Sequence, residues 1–187
     1  MVERRGKGAV IRYAIADSPL DRMLIARTEK GLCAIAFGDD DGALRQELRD
    51  RYPDANLLET HDELTAEISA ILLSLQPGAP PPPALPLDLA GTPFQLKVWA
   101  AMAELPHGTM MEYGKFAAGL GYPHAPRAVG SAIGKNPLAI LYPCHRLVAK
   151  GGGLHRYRWG LERKRWLLAL EGVPDTTGEQ GKLPLAG

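Results

Sequence analysis

A run of prolines constrains this chain more than any other feature. Residues 76–86 hold six prolines. Proline fixes φ and lacks a backbone N–H, so this segment cannot be helical. We therefore predict a linker over 76–91 that ends an N-terminal α/β domain of residues 1–90. Residues 92–173 would form a second domain and 174–187 a flexible tail, and a length of 187 residues suits two small domains or one of medium size.

The residues before the linker show the patterns of a small sheet and two helices. Residues 10–16 and 23–26, followed by 31–37, alternate or run apolar as half-buried strands do, which predicts a three-stranded antiparallel sheet. Residues 43–51 have leucines on one helical face and acidic residues at their start, as in a capped helix. Residues 64–75 predict a second helix.

The residues after the linker show helical patterns. A helix is predicted from residue 92, with Pro93 in its first turn. Two short helices, 113–120 and 127–135, flank a turn at 121–123, which indicates a helix-turn-helix.

Small residues dominate the second of these short helices. They are Ala125, Ala128, Gly130, Ser131, Ala132 and Gly134. The helix lacks the long polar side chains that read base edges in the major groove of DNA. It suits a close backbone approach, either to the minor groove of DNA or to another helix.

A cysteine stands beside a histidine in the segment Pro143–Arg146, after an apolar run over 138–142 where we expect a buried strand to meet a turn. A thiol becomes a strong nucleophile at neutral pH when a neighbouring base or cation favours the thiolate. Cys144 is therefore the candidate nucleophile. The alternative is a buried cysteine that serves as a small hydrophobe.

The net charge of +1 conceals an asymmetry between the two parts of the chain. Residues 1–90 carry 10 Lys and Arg against 15 Asp and Glu, whereas residues 91–187 carry 12 against 6. Basic residues crowd the region after the cysteine: Lys150, Arg156, Arg158, Arg163, Lys164 and Arg165. Such a surface attracts a polyanion such as DNA, although residues 163–165 also fit a solvated helix face.

Several classes of protein are excluded by composition. The two cysteines, Cys33 and Cys144, cannot form a disulfide framework, and no zinc-ligand spacing occurs, so we expect reduced thiols and no metal. No apolar run approaches the ~20 residues that span a bilayer. Residues 1–7 are charged and precede no signal region, which favours a cytoplasmic protein without a membrane partner.

Further motifs surround the cysteine in a fixed order. They are Phe94-Gln95, Val98-Trp99, Gly108, Tyr113-Gly114, Arg127–Gly130, Asn136-Pro137, Pro143–Arg146, Tyr157–Gly160 and Glu171-Gly172. This ordered set closely resembles the O6-alkylguanine-DNA alkyltransferases, also called methylated-DNA–protein-cysteine methyltransferases. Residues 12–17 and 38–41 are similar to the start of the alkyltransferase half of Ada adaptive-response proteins. The resemblance covers nearly all of residues 10–172.

The resemblance implies an α+β fold. The N-terminal domain would be ribonuclease H-like, with the three-stranded antiparallel sheet, and the C-terminal helical domain would carry a winged-helix-like helix-turn-helix and the active-site cysteine. It implies repair of double-stranded DNA that contains O6-alkylguanine, and also O4-alkylthymine. One alkyl group, mainly methyl, would pass irreversibly to Cys144. The reaction would need no cofactor, and the protein would act as a monomer in the cytoplasm or on the nucleoid.

The resemblance also assigns roles to residues. Cys144 would attack the alkyl carbon, His145 would take the thiol proton through a water, and Glu171 would orient the imidazole. Asn136 would hold the turn that carries the cysteine, and the Tyr113 phenol would hydrogen-bond a purine ring nitrogen. Taken singly, Asn136 and Glu171 also fit ordinary helix ends.

Pocket and DNA contacts follow from the same resemblance. The backbone carbonyls of Cys144 and Leu147 would accept from the guanine amino group. Tyr157, Arg158 and Trp159 would wall the pocket; the bulky Arg158-Trp159 pair, and Arg156 where relatives often have glycine, would limit the alkyl group. Arg127 would fill the space that an extruded base leaves, unless it contacts a phosphate. The expected DNA contacts are Arg127, Gln95, Tyr113, Gly114, Ala125, Ala128, Gly130 and Lys150.

Three other functions remain open from the residues. A Cys-His-Glu thiol hydrolase would need an oxyanion hole, for which the sequence offers no clear donor motif beyond the loop itself. A non-catalytic alkylated-base binder would carry another residue in place of Cys144. A regulator would need a four-cysteine zinc module that this sequence lacks.

Overall fold

A computed structural model describes residues 8–174 of the chain, so the predicted tail lies outside the described residues except for Pro174. The chain forms two compact units. The first runs to Thr92 and includes the short segment Pro137–Ala139, and the second comprises Pro93–Asn136 and the residues from Ile140 onward.

The first unit is built on a sheet. Strands β1 (Val10–Ser18), β2 (Asp21–Arg27) and β3 (Leu32–Gly38) pair antiparallel in sequence order, with Ser18 opposite Asp21 across a tight turn. Their apolar side chains are buried, Ile11, Ile25 and Ile35 completely. The predicted three-stranded antiparallel sheet is confirmed.

Two helices and a fourth strand complete this unit. Helix α1 (Asp41–Arg51) is capped at its N-terminus by Asp40, whose side chain accepts a hydrogen bond from the Ala43 N–H at 2.8 Å. Strand β4 (Asn56–Glu59) pairs parallel to β1 and extends the sheet order to β3-β2-β1-β4. Helix α2 (Thr65–Ser74) follows. The sequence did not predict β4 because its side chains are largely exposed and show no alternation.

The proline-rich segment ends against strand β3. The Leu32 N–H donates to the Pro86 carbonyl at 2.8 Å, and the Asp88 N–H donates to the Leu32 carbonyl at 2.8 Å. Gly31 permits this approach, because a Cβ there would lie 2.4 Å from the Pro86 oxygen. No helix forms over the prolines, as predicted.

The second unit is mainly helical. Its elements in chain order are α3 (Pro93–Ala103), β5 (Met111–Glu112), α4 (Tyr113–Gly119), α5 (Pro126–Gly134), β6 (Leu147–Val148) and α6 (Leu161–Leu170). Helices α4 and α5 form the predicted helix-turn-helix, and the Trp99 indole of α3 donates to the Ala132 carbonyl of α5 at 2.9 Å. Strands β5 and β6 pair in parallel. Within the described residues, no helix is long and apolar enough to cross a membrane.

The strand predicted over 138–142 is wrong. This apolar run forms a buried turn, in which Leu138 alone makes a bridge, with Ile35 of the first unit. Ile140 adopts φ +70°, a left-handed conformation that cannot continue a strand. The run is apolar because the loop is buried, which periodicity cannot distinguish from a buried strand.

Candidate active site

The candidate nucleophile lies on one helical turn, Cys144–Arg146, in the second unit. Cys144 is 5% exposed. The Asn136 side-chain amide donates to the Tyr142 carbonyl at 2.8 Å and to the Cys144 sulfur at 3.3 Å. Asn136 therefore connects the end of α5 to the turn that carries the cysteine.

The imidazole of His145 is bonded to a carboxylate. His145 Nε2 lies 2.7 Å from Glu171 Oε1, and both side chains are buried. Glu171 follows the last residue of α6, so the helix end places its carboxylate beside the turn. The other ring nitrogen, His145 Nδ1, is buried and has no hydrogen-bond partner among the residues the structure describes.

Arg146 completes the surroundings of this carboxylate. Its guanidinium Nη2 lies 2.8 Å from Glu171 Oε1 and its Nε lies 2.9 Å from Oε2, while Nη1 donates to the Leu105 carbonyl. The Gly108 N–H donates to Oε2 at 3.0 Å. Both oxygens of Glu171 are thus saturated by donors, a bidentate arrangement that arginine favours.

These contacts determine the ionisation states of His145 and Glu171. Burial alone would raise the pKa of Glu171, but hydrogen bonds from His145 and Arg146 outweigh it and lower the pKa to about 2. Burial lowers the pKa of His145, and Glu171 only partly opposes this effect. At neutral pH the carboxylate is therefore charged and the imidazole neutral. The neutral ring donates from Nε2 to Glu171, which leaves Nδ1 as a proton acceptor.

Lys164 of α6 is a member of the site that sequence reasoning did not identify. It is fully buried, and its ammonium group donates to the Leu147 carbonyl at 2.6 Å. The same group lies 5.8 Å from the centre of the Tyr113 ring. Burial lowers the pKa of Lys164 to about 8, although the Cys144 thiolate opposes the change.

The sequence pattern predicted that Lys164 belongs to a basic surface. This prediction is wrong, because the Lys164 side chain is buried. One signal marked it in the sequence. Lys164 occurs at the spacing of Leu167 and Leu168, the buried stripe of α6. A lysine within an apolar stripe is buried only when its charge is compensated.

Opposing effects act on the pKa of the Cys144 thiol. Burial raises the pKa of the Cys144 thiol to about 11, while the Asn136 hydrogen bond and the positive charge of Lys164 both lower it. The resting group is consequently a protonated thiol whose ionisation depends on a base and on nearby positive charge.

Three residues predicted to contact the purine or to wall its pocket are aromatic: Tyr113, Tyr157 and Trp159. Burial raises the pKa of Tyr113 to about 12, and the Cys144 charge adds to the effect, so the phenol keeps its proton. Tyr157 and Trp159 are buried and meet edge to face, with ring centres 5.4 Å apart. Arg158 between them is exposed, and its guanidinium donates to the Gly134 carbonyl at 3.2 Å. Trp159 is only 4% exposed, so its ring lies in the interior of the second unit.

The exposed surface of the helix-turn-helix consists mainly of small side chains. Arg127 and Ala128 are exposed, while Ala125 and Gly130 are partly exposed. The opposite side of α5 is buried through Val129, Ala132 and Ile133. A Cβ placed on Gly114, Gly130 or Gly134 would meet no atom within 4 Å. Internal packing therefore does not require these glycines, which weighs against helix packing as the reason for the small residues.

The remaining expected DNA contacts divide into two groups. Gly114 and Lys150 are exposed. Gln95 is 7% exposed and lies on the buried side of α3 with Val98 and Trp99. Its position therefore offers little surface for a DNA contact in this structure.

Comparison with known sequences identifies the family. Residues 93–173 match the family described as 6-O-methylguanine DNA methyltransferase, DNA binding domain, and residues 11–69 match its ribonuclease-like domain. The inducible methylated-DNA–protein-cysteine methyltransferase of Bacillus subtilis strain 168 is 40% identical over 148 residues, which cover 79% of this chain and 82% of that protein. The buried cysteine, histidine and glutamate lie within residues 93–173, the part of the chain that matches the DNA binding domain of that family. The chain belongs to the methylated-DNA–protein-cysteine methyltransferase family.

Two further relatives place this chain more closely. The bifunctional transcriptional activator/DNA repair enzyme Ada of Escherichia coli strain K12 is 42% identical over 166 residues, which cover 89% of this chain and 47% of that protein. The chain thus spans about half the length of the Ada proteins it matches. The crystal structure of Mycobacterium tuberculosis OGT in complex with DNA has a TM-score of 0.73 and 31% identity, and it covers 88% of this chain and 96% of that chain. The expected α+β fold with a ribonuclease-like N-terminal domain is confirmed.

The depressed pKa of Glu171 predicts a pH-dependent contribution to stability. Replacing Glu171 by Gln leaves Arg146 buried without its counter-charge and should cost about 3 kcal/mol at pH 7. Because the folded pKa of about 2 lies below the ordinary 4.5, the carboxylate stabilises the fold above pH ~5 and loses this effect as pH falls toward 2. The difference in unfolding free energy between wild type and Glu171→Gln should therefore shrink over that window.

Urea unfolding at several pH values measures this difference. Glu162→Gln is the matched control, because Glu162 also lies on α6 but is 80% exposed in its pair with Arg165. Its effect should be small at every pH. A Glu171→Gln penalty that stays constant from pH 6 to pH 2.5 would contradict the ionised, donor-saturated carboxylate.

Proposed function

We propose that this protein repairs DNA by moving an alkyl group, chiefly methyl, from O6 of guanine to the sulfur of Cys144. O4-alkylthymine would be a secondary substrate. The observation that carries the proposal is the turn Cys144–Arg146, in which a buried thiol is followed along the chain by a neutral imidazole bonded to an ionised carboxylate. The names of the relatives agree, since they include a DNA repair enzyme and methylated-DNA–protein-cysteine methyltransferases.

The chemistry is a displacement at a saturated carbon. The thiolate forms a sulfur–carbon bond as the carbon–O6 bond breaks, and the electron pair of that bond passes to the purine. The thiol proton leaves through one water to Nδ1 of His145, the ring nitrogen with no partner in the described chain. Glu171 stabilises the imidazolium that results.

The leaving purine needs a proton. The Tyr113 phenol supplies it to a ring nitrogen, a role for which a raised pKa keeps the phenol protonated until the purine becomes anionic. The Lys164 ammonium lies 5.8 Å from the Tyr113 ring and favours both the thiolate and a developing phenolate. The carbonyls of Cys144 and Leu147 would accept from the guanine amino group.

The product explains why each molecule would react once. A thioether has no easy leaving group, so water cannot restore the thiol. A hydrolase with the same three residues would need preorganised oxyanion donors, and no observation favours that alternative.

Duplex DNA would bind through the helix-turn-helix. Alkylated guanine must leave the base stack to reach a buried sulfur. The exposed small residues of α5 fit a close approach to the minor groove, and exposed Arg127 at its start would enter the stack. Residues 92–173 would then form the DNA-binding alkyltransferase domain. A protein with this substrate would work in the cytoplasm or on the nucleoid.

Incubation with duplex DNA that contains O6-methylguanine tests the proposal. Intact-protein mass spectrometry should show a gain of one methyl group per chain, and peptide mapping should place it on Cys144. Cys144→Ser should abolish transfer yet retain DNA binding, because a hydroxyl ionises far less than a thiol.

Cys33→Ser is the control in the same experiment. Cys33 is buried in the first unit, and burial raises its pKa to about 12, so its loss should leave transfer unchanged. Methyl on Cys33, or more than one equivalent of repaired base per chain, would refute single transfer to Cys144.

The role of Arg127 predicts an effect that depends on the duplex. If the guanidinium replaces the extruded base, Arg127→Ala should slow single-turnover repair of saturating duplex by about tenfold or more, since extrusion costs a few kcal/mol. The reaction with free O6-methylguanine base should hardly change, because the free base has no stack to leave. Equal slowing on both substrates would reject the extrusion role.

If Arg127 instead contacts a DNA phosphate, the Arg127→Ala variant should give a third result. Arg127→Ala would then weaken binding to every duplex and lower the salt slope by about one, with little effect on the chemical step. Lys135→Ala is a useful comparison, because Lys135 is an exposed cation at the other end of α5.

A further inference from the structure

Glu112 contacts a distant loop from the start of the helix-turn-helix. It is the N-cap residue of α4, a position from which a polar side chain can accept a hydrogen bond from the first turn of the helix. The Glu112 side chain makes no such bond. Its Oε1 accepts instead from the Gly151 N–H at 3.1 Å, 39 residues further along the chain. The contact therefore joins the start of α4 to the loop that follows β6.

This loop is a turn built around glycines, residues 149–153, which we call the glycine turn. The Gly152 N–H donates to the Ala149 carbonyl at 3.0 Å, and the Ala149 N–H donates to the Gly153 carbonyl at 2.9 Å. Gly151 has a φ of +81°. In the four-residue turn over 149–152, Gly151 occupies the third position, where a positive φ is typical of a type II turn.

The Gly151 N–H belongs to the peptide group that distinguishes two turn types. Types I and II differ by a flip of the central peptide, which here joins Lys150 to Gly151. Glycine adopts either sign of φ at little cost, so the sequence of the turn leaves the orientation of this peptide open. The Glu112 carboxylate selects one orientation, because it accepts from the N–H and would repel the carbonyl of a flipped peptide.

A carboxylate at this position opposes DNA binding by its charge. Glu112 directly precedes Tyr113 and Gly114, two of the expected DNA contacts, and 28% of its side chain is exposed. A negative charge beside a phosphate backbone weakens binding, and the Lys115 ammonium offsets it only from 3.9 Å. Lys150, an exposed cation and an expected DNA contact, belongs to the peptide that Glu112 holds. Glu112 thus adds a repulsive charge but holds the backbone that carries an attractive one.

We propose that Glu112 is a positioning residue for DNA binding. Through the Gly151 N–H it fixes the peptide between Lys150 and Gly151, and so directs the Lys150 ammonium toward the phosphate backbone. The inference rests on the proposed function, since duplex DNA is the ligand. Glu112 acts through the glycine turn, and its acceptor oxygen rather than its charge is the feature that matters.

Two substitutions separate the acceptor from the charge. Glu112→Gln keeps an oxygen that can accept from the Gly151 N–H but removes the negative charge, whereas Glu112→Ala removes both. We expect Glu112→Gln to bind duplex DNA at least as tightly as the wild type. Glu112→Ala should bind about 3- to 10-fold more weakly than Glu112→Gln, which corresponds to the loss of one hydrogen bond. Fluorescence anisotropy of a labelled duplex measures the dissociation constants.

Dependence on Lys150 distinguishes positioning from a general effect on structure. Lys150→Ala removes one phosphate contact, so it should lower the salt slope of binding by about one. In a Lys150→Ala background, Glu112→Gln and Glu112→Ala should bind equally, because the glycine turn no longer carries the cation. A difference that persists in that background, or equal affinities of the two variants when Lys150 is present, would overturn the inference.

Glu162→Gln and Glu162→Ala are the matched controls, because Glu162 lies on α6 with 80% of its side chain exposed. These two variants should bind duplex alike, and a difference as large as that at Glu112 would also overturn the inference. Wild-type methyl transfer from duplex that contains O6-methylguanine is measured alongside. Its absence would refute the proposed function, whereas normal transfer with equal affinities of the two Glu112 variants would refute the positioning role alone.

Discussion

The carboxylate of Glu171 is the group on which the rest of the site depends. It sits at the end of α6 and accepts from His145, Arg146 and the backbone of Gly108. These donors come from separate parts of the second unit, so one side chain ties the cysteine turn, the loop after α3 and the last helix together. Buried charges are stable only when paired and hydrogen-bonded, and this one is both. The same contacts keep the carboxylate ionised and the imidazole oriented.

Burial of the thiol is balanced by positive charge. Burial raises the pKa of Cys144 to about 11, so the thiol keeps its proton at neutral pH. Asn136 and Lys164 act against burial at the sulfur, so ionisation remains accessible when a base takes the proton. Burial also acts on Lys164, whose pKa it lowers to about 8.

Most of the site could be predicted from sequence, because its chemistry resides in short motifs of fixed order. Asn136 lies 3.3 Å from the Cys144 sulfur and His145 lies 2.7 Å from Glu171, while the roles assigned to these residues stay predictions. Arg146 and Lys164 were missed as members for different reasons. Arg146 reaches Glu171 across 25 residues, a contact that local patterns cannot reveal, and Lys164 looked like one cation in a basic run. The fold was less predictable at β4, an exposed strand held by parallel pairing, and at the buried turn before the cysteine, where Ile140 leaves the strand conformation.

His145 is a neutral base before reaction, with its proton on Nε2 toward Glu171 and a lone pair on Nδ1. Long-range ¹H–¹⁵N NMR of protein labelled at histidine measures this tautomer directly, and a His145→Gln variant assigns the signal among the five histidines. At pH 7 we expect a protonated, pyrrole-type Nε2 and an unprotonated, pyridine-type Nδ1. A doubly protonated ring, or a proton found on Nδ1, would contradict it.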